Sequence, residues 1–241
     1  MKHNPLVILH MGMMKTASTF LQRSYWQNFR GNCGKPLDNK TADLALRLQL
    51  VIDRLESNDS EVKVVSDEAL LMGGEVNEQY KSELLSYLGD ANVVPMVVTQ
   101  RPSRLLNSAI AYFARGRVFP NFEETARNLT HRFPKLLDYL DVPRLERSLV
   151  ESIGDPILVD INHIAEMHSI LENRLGRDLS LEIPLKGGPH SYRAVNQSSL
   201  SRKLWTHSVR RKSSLFESMP EADLVRNLDE TYATWISKQN Y

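Results

Sequence analysis

The chain has 241 residues, 41% hydrophobic and 24% charged, a composition that can bury a core and does not belong to a disordered protein. Lys plus Arg (30) and Asp plus Glu (29) leave a formal net charge of +1, which excludes a generally basic nucleic-acid coat and an acidic tail protein. The single cysteine, Cys33, excludes an internal disulfide and any zinc site built on two or more cysteines, and no apolar run reaches the roughly 20 residues of a membrane span.

Residues 5–11 (PLVILHM) form a short, continuous apolar run, the pattern of a strand buried on both faces. No small-residue cleavage site follows it, so it reads as a strand and not as a secretory signal, and the expectation is a soluble, cytoplasmic protein. The run ends at Gly12; from Thr16 onward Phe20, Leu21, Tyr25 and Phe29 recur at helical spacing. Residues 41–56 predict an amphipathic helix with Thr41 as N-cap. Residues 62–65 predict a second strand, closed by the polar turn Ser66-Asp67-Glu68, and residues 77–88 a further helix. Residues 92–99 (NVVPMVVT) predict a strand in which Pro95 implies an irregularity or an edge position. Helix follows over 103–114, then one or two helices over 134–153 broken near Pro143, a fourth strand over 156–161, and a helix over 164–175 stopped by Gly176. The tail holds turn residues from Pro184, a basic helix from Ser199 and a closing helix over 224–236. Strands alternating with helices predict right-handed βαβ units, hence an α/β three-layer sandwich with a central parallel sheet. One domain is expected over 1–241, with 184–241 a helical, basic tail packed on it. Residues 30–40, 69–80 and 115–133 are expected as loops.

The near-zero net charge hides a segregation along the chain. Residues 1–37, 91–122 and 183–216 hold Lys and Arg but no acid, so all 29 acids fall outside them. Three such segments meeting in space would make a local positive field suited to a polyanion. Two motifs fall inside them. His10-Met-Gly-Met-Met-Lys15-Thr16-Ala17-Ser18-Thr19 sits where a strand gives way to a helix, the place where an open α/β sheet binds its ligand. A helix N-terminus there offers unpaired N–H groups, Lys15 a point charge, and Thr16, Ser18 and Thr19 hydroxyls. The nucleoside-triphosphatase loop needs G-x-x-x-x-G-K-[ST], which this segment does not supply, and Gln100-Arg101 stands where a metal-holding acid would be sought. The second motif is Arg101-Pro102, with Ser108 two helical turns on, a competent second phosphate site.

Together the two motifs resemble the PAPS-dependent sulfotransferase family, whose donor is 3′-phosphoadenosine-5′-phosphosulfate. Bacterial members of carbohydrate type commonly begin H-x-G-x-x-K-T-G-[ST]-T-x-x-Q. The chain matches at His10, Gly12, Lys15, Thr16, Ser18, Thr19 and Gln22, and departs at Ala17, where glycine is usual and allows a closer backbone approach. Weaker echoes are Leu137-Asp138-Tyr139, Arg193-x-x-Asn196-x-Ser198 and Lys186-Gly187-Gly188. The resemblance implies a P-loop-like fold, with Gly12, Lys15, Thr16, Ala17, Ser18 and Thr19 around the 5′-phosphosulfate. It implies Arg101 and Ser108 at the 3′-phosphate, with Arg193 joining from the tail.

The chemistry so implied is in-line sulfuryl transfer from PAPS to a hydroxyl of a carbohydrate or other small acceptor, leaving adenosine 3′,5′-bisphosphate. Lys15 would stabilise the departing oxygen, and no metal is required, because a sulfuryl group carries less charge than a phosphoryl group. The acceptor wants a general base. Glu68 stands at the end of the second strand, where carbohydrate sulfotransferases often carry a catalytic Glu; Asp67 beside it and His10 before the loop are the other candidates. His131, His163, His168, His190 and His207 have no metal-binding spacing, so no metal site is assigned. Arg210-Arg211-Lys212 reads as a solvated helix end, and the basic segments lack the aromatic interleaving of a nucleic-acid binder. The competing readings are a magnesium-dependent small-molecule or nucleoside kinase and a non-catalytic nucleotide-binding or scaffold protein. The oligomeric state is left open.

Overall fold

The computed structural model describes residues 5–12, 21–33, 44–71, 75–115, 122–133, 135–179 and 214–239. Four strands, β1 (Leu6–Met11), β2 (Val62–Asp67), β3 (Asn92–Thr99) and β4 (Ile157–Asp160), form one all-parallel sheet in the order β2-β1-β3-β4. All six residues of β1 are buried, as its unbroken apolar run requires of a central parallel strand. Alternation along the strands feeds two clusters. Ile8, Val64, Met96, Val98 and Val159 face one side, where Leu21, Tyr25, Trp26 and Leu171 cover them. Val7, Leu9, Val65, Val97 and Leu158 face the other, under the larger helical layer.

The helices are α1 (Leu44–Ser57), α2 (Glu75–Leu88), α3 (Pro102–Arg115), α4 (Phe122–Arg132), α5 (Leu136–Leu140), α6 (Val142–Ser152), α7 (Met167–Leu175) and α8 (Ala222–Ile236). Helix α7 ends at Gly176 in the left-handed region (φ +62°), the conformation glycine adopts without strain. The break near Pro143 is real: Asp141 ends α5, and its side chain caps α6 through the Arg144 N–H at 3.2 Å. None of the described helices is long and apolar enough to cross a membrane.

Pro95 lies in an interior strand, but the β3–β4 ladder opens only at Met96↔Ile157, so among the described residues Pro95 has no ladder partner on its β4 side, in keeping with the irregularity or edge position expected there. Two expectations are corrected. Ser66 and Asp67 extend β2 instead of forming a turn, and Glu68–Leu70 is a single 3-10 turn. Residues 122–132 are helical where a loop was expected, with Ala126 and Leu129 buried on a short apolar stripe inside a polar segment; residues 75–80 likewise begin α2. The N-cap Thr41 and the tail over 184–213 lie outside the described residues.

Candidate functional site

Strand order reverses between β1 and β3: the chain passes from β1 to β2 on one side, then returns to the other side for β3 and β4. At such a switch point the connections leave the sheet in opposite directions and open a crevice at the carboxyl edge. Gly12, buried, follows β1 at that edge, and Gln100-Arg101 follow the end of the neighbouring β3. The strand ends bearing the two sequence motifs are therefore neighbours. Lys15, Thr16, Ala17, Ser18, Thr19 and Arg193 lie outside the described residues.

Arg101 precedes the first turn of α3. Its side chain is 64% exposed, and its Nε donates to Asp229 Oδ2 on α8 at 2.9 Å. Arg104 and Ser108 follow on the same flank of α3, exposed and half-buried respectively; seven residues separate Arg101 from Ser108, about 10 Å along the axis.

On the far side of β1, the register Met11↔Asp67 brings Asp67 and Glu68 level with the end of β1. The two acids have different surroundings. Asp67 is buried, forms an ion pair with Arg47 of α1, and accepts from the Tyr80 hydroxyl at 3.1 Å and the Ala69 N–H at 2.9 Å. Burial pushes its carboxyl above the ordinary range, against the opposing pull of Arg47. Asp67 thus ties α1 and α2 to the end of β2. Glu68, half-buried, opens the 3-10 turn.

His10 is fully buried on the opposite face of the sheet. Its Nδ1 lies 2.6 Å from Ser66 Oγ and accepts from Trp26 Nε1 at 3.3 Å. An indole N–H only donates, so Nδ1 carries the lone pair and the proton sits on Nε2, which is buried with no hydrogen-bond partner among the described residues. Burial pulls the imidazole down to about 3. In this tautomer the Nδ1 lone pair is engaged and Nε2 carries the proton, so neither offers a lone pair to an acceptor hydroxyl. Of the two carboxylates, Glu68 is the less buried.

Sequence reasoning passed over two groups. Asp229 and Tyr232 lie on the buried stripe of α8 with Val225, Leu228 and Trp235. The signal available was an acid inside an apolar helical stripe, an arrangement that requires a partner. Asp160, buried at the end of β4, accepts from the Tyr232 hydroxyl and from the Asn162 N–H at 2.7 Å. Among the described residues no group of three or more His, Cys, Asp or Glu is placed to hold a metal ion.

A scan against protein-family models, a search of curated proteins and a search of solved structures each find no match to this chain.

Proposed function

We propose that the chain is a PAPS-dependent sulfotransferase of P-loop-like architecture acting on a hydroxyl of a carbohydrate or other small acceptor. The observation that supports this reading is that β1, followed by Gly12, and β3, followed by Gln100 and Arg101, are neighbouring parallel strands at the switch point. A donor with phosphates at both the 3′ and 5′ positions of one adenosine needs two anion sites on neighbouring strand ends. The residues present suit such a donor. Buried Gly12 has no side chain to obstruct the backbone's approach, and Arg101 offers an exposed guanidinium, which is planar and always charged. Lys15 would neutralise charge developing on the bridging oxygen, Thr16, Ser18 and Thr19 would hold the 5′-phosphosulfate, and Arg101, Ser108 and Arg193 the 3′-phosphate. Glu68 would take the acceptor proton. The bound donor supplies the sulfuryl group.

Calorimetry on the full chain tests this with adenosine 3′,5′-bisphosphate, AMP, and ATP with and without magnesium. The bisphosphate should bind without magnesium and at least about tenfold more tightly than AMP, with Arg101→Ala erasing that difference and Lys15→Ala weakening both. Equal affinities for AMP and the bisphosphate would overturn the reading, and magnesium-dependent ATP binding would replace it with the kinase. Radiolabelled PAPS with a panel of sugars then seeks the acceptor.

A further inference from the structure

Arg101, expected with Ser108 at a phosphate site, has a buried counter-ion on α8, Asp229. Asp229 divides its two oxygens. Oδ2 accepts from Arg101 Nε and Oδ1 from the Ser103 backbone N–H, each at 2.9 Å. The Asp229 side chain is 9% exposed, the Arg101 side chain 64%. Three residues on, Tyr232 donates to Asp160 at the end of β4 and lies 3.1 Å from Thr99 Oγ1 at the end of β3. One face of α8 is thus fastened to the carboxyl edge of the sheet at two neighbouring places, and Arg101 is one of them.

This arrangement limits how Arg101 can hold an anion. A guanidinium presents donors side-on, through Nε and one Nη, or end-on, through Nη1 and Nη2. With Nε given to Asp229, the end-on fork remains, and it matches two oxygens of one phosphate. Ser103, whose N–H would otherwise be an unpaired donor at the start of α3, is likewise taken by Asp229. Two effects oppose each other. The carboxylate reduces the positive potential at Arg101, whereas it also holds a long, exposed side chain in one orientation before any ligand arrives. The charge of Asp229 is already divided between two donors in a buried place, so orientation is the larger effect.

We propose that Asp229 is the positioning residue for Arg101, holding its terminal nitrogens towards the 3′-phosphate and making the docking of α8 a condition of nucleotide recognition. The inference rests on the sulfotransferase reading above and assigns its second anion site a control element from the C-terminal helix.

The test compares adenosine 3′,5′-bisphosphate with AMP by calorimetry on wild type, Asp229→Asn, Arg101→Ala and the double variant, with circular dichroism melts alongside. Asn keeps an acceptor for the Ser103 N–H but loses the charged grip on Nε. Asp229→Asn should weaken the bisphosphate by about tenfold and leave AMP within about twofold, and adding it to Arg101→Ala should cost nothing further. A merely structural role would lower the melting temperature and weaken both ligands in parallel, which would overturn the proposal. Unchanged or tighter bisphosphate binding would also overturn it, since Asp229 would then be a bystander or a competitor of the ligand. A wild type that does not distinguish bisphosphate from AMP would overturn the donor reading itself, and this inference with it.

Discussion

Gly31 stands so close to Val62 that a β-carbon on it would lie 1.8 Å from the Val62 carbonyl oxygen. The approach has a cause: residues 31–33 run beside β2, with the Val64 N–H donating to Gly31 O at 2.7 Å and the Cys33 N–H to Val64 O at 2.8 Å. This segment covers the free edge of β2, and only a residue without a side chain fits against the strand. Gly31→Ala should therefore destabilise the fold by about 3 kcal/mol, because the obstacle is backbone and not a side chain that can swing away. Urea denaturation measures it. A loss below about 1 kcal/mol would mean that the segment docks loosely.

His10 makes a pH-dependent contribution whose sign follows from its burial. The native imidazole stays neutral down to about 3, whereas in the unfolded chain it takes a proton near 6.5. Between those values the unfolded state binds more protons, so the stability is full above 6.5 and falls as the pH drops. The stability difference between wild type and His10→Gln should shrink by about 2 kcal/mol from pH 7 to pH 5. A difference that stays constant across that range would show that His10 titrates normally.

Asp67 and Glu68 are adjacent in sequence but should separate cleanly on mutation. Asp67→Asn removes the buried charge that pairs with half-buried Arg47 and the acceptor for Tyr80, and should cost about 3 kcal/mol in a denaturation curve. Glu68→Gln should lower sulfuryl-transfer turnover by about 100-fold or more, with adenosine 3′,5′-bisphosphate affinity within about twofold of wild type. If Asp67→Asn folds normally and is the variant that loses turnover, the base is Asp67.

What could be read from the sequence was local. The strands announced themselves as β-branched runs, and α7 by Gly176 at its end, because buried parallel strands and left-handed helix caps impose residue types that stand out. The switch point followed less directly, since alternation of strands and helices fixes a parallel sheet but not that β3 returns beside β1. Helix α4 was hidden because Phe122, Ala126 and Leu129 are a thin apolar stripe among polar residues. The partners of the candidate site were least legible. Arg101 meets Asp229 across 128 residues, and His10 meets Ser66 across 56, and no periodicity in one segment encodes a contact with another.

Tyr232 tests whether α8 is part of the same cooperative unit as the sheet. Its hydroxyl donates to Asp160 Oδ2 and lies 3.1 Å from Thr99 Oγ1, all three residues being buried. Tyr232→Phe keeps the ring in its apolar surroundings beside Trp235 and removes only the hydroxyl, which donates to Asp160 and faces Thr99 Oγ1. A hydrogen bond to a buried carboxyl is worth more than a neutral one, so the variant should lose about 2 kcal/mol. Asp160→Asn in the Tyr232→Phe background should then cost less than it does alone, with a coupling of about 1 kcal/mol or more in a double-mutant cycle. Additive losses would mean that Tyr232 stabilises α8 through its ring alone, and that the helix is held at the sheet edge chiefly by Asp229.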